Sequence, residues 1–323
     1  MNDLIIIPEE KAAAVLDMQA ALTAVREAYC ACDRGVMFPG GRIAMPLSRE
    51  GTTGQWLTAV CTEPPCFGFK FSANFPENIK NGLPAVRSTI SLFSGEDGAQ
   101  LAQIGANHLT ALKTGAGAAV ATDLLARSDA HRLGIIGTGV QAFLQVQAIQ
   151  EVRELTELRV YDMSPARMEA FMERVEAVKN HPYQIIPCES ANECVAASDI
   201  VCTATPSLTP VFDGAALQPG THLNAIGSYT PLMQEIDAET VQKAAFVVTE
   251  HVEGLWTAAG DILIPLEQGL ISRDKVRGSV GDVLVGKIPG RRSDTEITLY
   301  ESVGSCVLDV AIAIAVYQWI IGK

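Results

Sequence analysis

The segment Leu133-Gly134-Ile135-Ile136-Gly137-Thr138-Gly139-Val140-Gln141-Ala142 decides the fold. Its apolar half reads as a strand and Val140 to Val152 as an amphipathic helix, so Gly137-x-Gly139-x-x-Ala142 occupies a strand-to-helix turn. The first glycine of such a turn permits the sharp reversal, and the second lets backbone approach a pyrophosphate. The third position takes a small residue so that helix and sheet pack closely. Free N–H groups at the helix N-terminus then face the anion. Gly137, Thr138, Gly139, Val140 and Gln141 are therefore expected to cradle a dinucleotide. The next strand, Leu158 to Asp162, ends on an acid suited to a ribose 2′-OH and repellent to a 2′-phosphate, which favours NAD(H). Arg167 close behind leaves NADP(H) possible. The plainer readings are a Gly-rich turn without ligand and a surface aspartate at a strand end; the strand-turn-helix-strand context weighs against the first.

Working outward, Ser164 and Pro165 form a natural N-cap and first helical residue. Tyr183–Pro187, Ile200–Ala204, His222–Ile226 and Phe246–Thr249 supply further strands between helical stretches, which predicts a doubly wound parallel α/β sheet of the Rossmann kind. Ligand contacts in such sheets gather at the carboxyl ends of strands, so Thr203, Ala204, Thr205 and Ser228 join the expected cofactor residues. The first third differs. Trp56–Val60, Phe67–Phe71, Arg87–Phe93 and Gln100–Ile104 are short strands divided by Gly/Pro/Asn turns, the pattern of an antiparallel sheet. A small-residue helix, Asn107–Arg127, leads onward, and the chain closes with an apolar helix from about Ser302. The expected organisation is an α+β substrate-binding and dimerisation domain, 1–125 plus 305–323, and a Rossmann domain, 126–304.

The formal net charge of −13 over 323 residues argues against nucleic acid or an anionic membrane as partner. Val303–Ile321 is the most apolar stretch, but Asp309 at its centre is costly in lipid, so a buried or dimer-facing helix is expected instead. Met1–Pro8 lacks a basic n-region and its apolar run is short for a signal peptide, so a cytoplasmic protein is expected. Eight scattered cysteines without a Cys-x-x-Cys pair suit a reducing compartment, and five isolated histidines give no metal site.

Three basic residues stand in unusual settings: Arg42 after Gly40-Gly41, Lys70 ending an apolar strand, and Lys113 on a helix of small residues. Each alone is more often a snorkelling surface charge than a ligand. The runs Gly68-Phe-Lys-Phe-Ser-Ala-Asn-Phe-Pro-Glu-Asn78, Gly82-Leu-Pro84, Leu109-Thr-Ala-Leu-Lys-Thr-Gly-Ala116, Gly281–Gly290 and Glu296–Gly304 resemble the ornithine cyclodeaminase/μ-crystallin family, in the same order along nearly the whole chain. The resemblance implies a homodimer. It also implies that Arg42 and Lys113 hold a substrate carboxylate while Lys70 stands beside the reacting carbon. Many relatives have arginine at Lys113, and a lysine is a point charge where arginine is a bidentate fork. Ornithine cyclodeaminases carry an aspartate just before the proline of the loop matching Gly227-Ser-Tyr-Thr-Pro231, and this chain has none. Glu235 and Asp237 nearby read as a helix-start acidic pair.

The expectation is an NAD(P)H-dependent reductase of a small imino acid such as Δ1-pyrroline-2-carboxylate, giving the L-amino acid, with Lys70 catalytic. Thr298 is a further candidate near the nicotinamide. The alternatives are an alanine-type amino-acid dehydrogenase, a cyclodeaminase, and a non-catalytic nicotinamide-nucleotide-binding protein of μ-crystallin type.

Overall fold

Six strands near the N-terminus form one sheet: β1 (Ile5–Ile7), β2 (Met37–Pro46), β3 (Thr53–Thr62), β4 (Pro65–Asn74), β5 (Val86–Ser94) and β6 (Gln100–Gly105). Their order is β1-β6-β5-β4-β3-β2, antiparallel except for β1 on β6. The structure, a computed structural model, describes residues 4–322. The leader expectation at Met1, Asn2 and Asp3 lies outside them. Two compact units emerge: the residues through Lys113 with those from Ser305 on, and Thr114–Gly304.

In the first unit β2 is an edge strand, where Pro39 and Pro46 are tolerated because edge N–H groups need no ladder partner. Its register shifts between Pro39 and Arg42, a bulge made by Gly40-Gly41. A Cβ at 40 would lie 2.1 Å from Thr58 Oγ1 and 3.0 Å from Thr58 O, so any larger residue would force the Thr58 side chain aside. The C-terminal helix Cys306–Ile320, N-capped by Ser305, packs on β3, β4 and β5 and on the helix Met18–Asp33. Gly68 allows this close approach: a Cβ would meet Ser91 O at 2.8 Å and Val310 Cγ2 at 3.1 Å.

The second unit holds β7 (Arg132–Ile136), β8 (Glu157–Tyr161), β9 (Gln184–Pro187), β10 (Ile200–Thr203), β11 (His222–Ala225), β12 (Ala244–Thr249), β13 (Val276–Ser279) and β14 (Ile297–Glu301). The order β13-β12-β14-β11-β10-β7-β8-β9 is parallel throughout. After β7 the chain builds β8 and β9 on one side, then returns to place β10 on the other. That reversal between β7 and β10 opens a ligand crevice at the carboxyl ends of these strands. Two apolar clusters fill the unit, one around Leu133, Val146 and Phe171 and the other around Val201, Leu223 and Val247. Among the described residues no helix is long and apolar enough to cross a membrane.

Candidate functional site

The turn after β7 opens the helix Val140–Ile149 at the β7/β10 crevice. Gly137 has φ +92°, and a Cβ there would lie 2.7 Å from Ala204 O. Gly139 is the N-cap, makes no side-chain cap, and has nothing within 4 Å of where a Cβ would stand. Ala142 is buried in the core cluster, so its small side chain sets helix–sheet contact. Open space at the second glycine above an uncapped helix N-terminus fits a dinucleotide pyrophosphate.

Asp162 is already well supplied with donors. Its Oδ2 accepts from Thr138 N at 3.1 Å and Oγ1 at 2.7 Å, and its Oδ1 from Ser164 N and from Arg167. Burial raises its pKa, but the hydrogen bonds from Arg167 and Thr138 outweigh that and hold it below the usual carboxylate range. The Arg167 side chain is two-thirds exposed.

The loops after β10 and β11 are tied by a residue that the sequence reading placed at a helix start. Glu235 is fully buried and accepts from Thr203 Oγ1 at 2.9 Å, Thr205 N at 2.5 Å and Gly227 N at 2.6 Å. Its own N–H and that of Ile236 donate to Asp261 Oδ1. The helix-start reading of Glu235 is thereby corrected. Asp237 alone caps the helix Ala238–Lys243, while Glu235 points into the loops. Thr203 and Ser228 turn their hydroxyls inward, to Glu235 and to Met233 O, so only their backbone is left for a cofactor. Ala204 and Thr205 follow β10 at the crevice.

Thr298 does not join this group. It pairs with His222 at the amino ends of β14 and β11, and its hydroxyl contacts His222 Nδ1, Arg291 and Leu125 O. The carboxyl end of β14 is instead Glu301, fully buried with neither carboxyl oxygen hydrogen-bonded. Burial and then the charges of Asp261, Glu235 and Glu250 push its pKa well above the ordinary value.

In the first unit the register Arg42↔Leu57↔Lys70↔Ile90 sets Arg42 and Lys70 in one transverse row of the sheet. Residues paired across antiparallel strands share a face. The Gly40-Gly41 bulge puts Arg42 in this row. Lys70 and Lys113 converge on Asp309 of the C-terminal helix, with Nζ to carboxylate distances of 2.9 Å and 3.4 Å. Lys113 Nζ also donates to Ser305 O at 3.3 Å.

With this geometry in view, the profile of the ornithine cyclodeaminase/mu-crystallin family matches residues 9–323. A Delta(1)-pyrroline-2-carboxylate reductase of Bacillus cereus is 34% identical over 277 residues, 86% of this chain and 84% of that protein. The structure of the Thermococcus litoralis Delta(1)-pyrroline-2-carboxylate reductase in complex with NADH and L-proline superposes with a TM-score of 0.95 at 31% identity, covering 98% of each chain. An archaeal alanine dehydrogenase dimer with bound NAD gives 0.92 at 31% identity, covering 99% of this chain and 97% of that one.

Proposed function

The chain belongs to the ornithine cyclodeaminase/mu-crystallin family, and from that premise we propose that it is an NAD(H)-dependent reductase converting a small imino acid of Δ1-pyrroline-2-carboxylate type to the L-amino acid. The observation that carries this reading is the buried pair Lys70 and Lys113 on the single carboxylate of Asp309. One positive charge is left over for one substrate carboxylate. Arg42 and Lys113 hold that carboxylate, and Lys70 stands at the imine nitrogen. A bound nicotinamide supplies the hydride that the imine carbon accepts. The loop Gly227–Pro231 offers no acid for ornithine deamination, and Glu235 does not replace it, being buried and committed to three donors.

The Gly137–Ala142 turn and Asp162 hold the dinucleotide, Asp162 exchanging Arg167 for the ribose hydroxyls. Loss of NADH absorbance at about 340 nm with cyclic imino acids, and with pyruvate plus ammonia, tests the reading. Turnover with a cyclic imine is expected. Turnover with pyruvate and ammonia alone makes the chain an alanine-type dehydrogenase, and NADH binding without turnover makes it a binding protein.

We also infer a homodimer in a reducing, cytoplasmic setting. The free face of the six-stranded sheet carries the exposed row Phe38, Val60 and Phe67, with Ile43 at 62% exposure. An apolar sheet face of this kind is covered in solution by another surface. All eight cysteines are free thiols.

A further inference from the structure

The C-terminal helix is apolar on nearly every side, yet Asp309 lies in its interior at 1% exposure. Lys70 and Lys113 are 5% and 2% exposed, so all three charges are held away from water. Asp309 Oδ1 accepts a hydrogen bond from Lys70 Nζ at 3.1 Å. Its Oδ2 is an ion-pair contact of the same ammonium at 2.9 Å, without an aligned hydrogen bond. One carboxylate therefore serves two ammonium groups.

The groups around Lys70 come from every neighbouring element. Leu57 on β3 and Ile90 on β5 flank it and are apolar. Arg42 stands one strand beyond Leu57. Lys113 comes from the helix Asn107–Leu125, and Asp309 and Cys306 come from the C-terminal helix. Burial, followed by the charge of Asp309, pushes the Cys306 thiol up to about 12, so it stays neutral. Asp309 is thus the anion in contact with Lys70. Burial above all, and then the like charge of Lys113, drive Lys70 toward losing its proton, while Asp309 opposes both.

Resting on the imine-reductase reading, we propose that Asp309 is a positioning residue that holds Lys70 as an ammonium donor aimed at the substrate nitrogen. In the step this implies, an N–H bond of Lys70 breaks and the imine nitrogen takes the proton with its lone pair. Hydride from NADH then adds to the carbon, the C=N π pair passes to nitrogen, and NADH is oxidised as the imine is reduced. Lys70 is left neutral, Lys113 and Asp309 balance each other, and solvent returns the proton to Lys70.

The isosteric Asp309→Asn tests this, with Lys70 followed by NMR of lysine-labelled protein and Lys70→Arg identifying its signal. The titration midpoint of Lys70 is expected to fall by at least about one pH unit, a tenfold loss of proton affinity. The alkaline limb of kcat/KM for the imine is expected to move acidward with it. An unmoved Lys70 midpoint overturns the proposal, whatever happens to thermal stability. If Asp309→Asn does not fold, Lys113→Met asks the same question with opposite sign. Removing the like charge raises the midpoint, and no rise overturns the proposal. The titration needs no substrate, so failure of the wild type to reduce any imine counts against the reductase reading alone.

Discussion

Glu235 ties the loops after β10 and β11 together through three donors, the Thr203 hydroxyl and the N–H groups of Thr205 and Gly227. Truncation to alanine leaves the buried Thr203 hydroxyl and the half-buried N–H groups of Thr205 and Gly227 without their acceptor. Each orphaned donor costs about 1–3 kcal/mol, so Glu235→Ala is expected to lose roughly 2–4 kcal/mol in urea unfolding. A loss under about 1 kcal/mol would mean that water or a shifted loop replaces the carboxylate. Asp162 governs a different property. In the proposed cofactor site its carboxylate would repel a 2′-phosphate, and it engages Arg167, a nearby cation able to pair with such a phosphate. Asp162→Ser is therefore expected to raise the NADPH-to-NADH ratio of kcat/KM by about tenfold or more. An unchanged ratio would remove Asp162 from ribose recognition.

At the scale of elements, the two glycines of the turn make opposite demands. Gly137 combines a positive φ with backbone 2.7 Å from a would-be Cβ, so Gly137→Ala should unfold at lower temperature. Gly139 has nothing near it, so Gly139→Val should keep the melting temperature of the ligand-free protein and lose NADH affinity by about tenfold or more, read by fluorescence titration. Equal losses of stability in both would show that the open space does not serve a ligand. This turn was legible because its chemistry is local: strand, glycines, helix and the next strand's acid all fall within thirty residues. Strand β2 was not, because Pro39, Gly40, Gly41 and Pro46 mimic a loop and only its edge position makes them acceptable. Strand β14 lay hidden in a motif, and its direction decides which residue meets the cofactor edge. Thr298 is at the amino end and Glu301 at the carboxyl end, a distinction that depends on pairing with β11. Lys70 and Lys113 stood out by composition, whereas their convergence on Asp309 joins residues 239 and 196 positions apart in the chain (309 − 70 and 309 − 113). No local pattern carries that information.

For the molecule as a whole, an acidic chain that buries carboxyl groups ties its stability to pH in two opposite ways. Asp199, paired with Arg127 and Arg132, is lowered to about 2 despite burial. Its contribution is present above the ordinary carboxylate pKa and is lost as pH falls toward 2. Glu235, Asp261 and Glu301 are raised, in each case by burial first. The folded state then binds more protons than the unfolded one, so their contribution is full below the unfolded pKa and declines as pH rises toward the folded value. Glu301 isolates this effect, since the charges that act on it, those of Asp261, Glu235 and Glu250, share its sign. Glu301→Gln removes the titrating group while keeping its shape. Wild-type melting temperature should fall between pH 5 and pH 8 by roughly 1.5 °C or more beyond the fall seen in Glu301→Gln, about 1 kcal/mol for a chain of this size. Parallel melting curves for the two proteins across that range would mean that Glu301 carries its charge in the folded state and has a cationic partner.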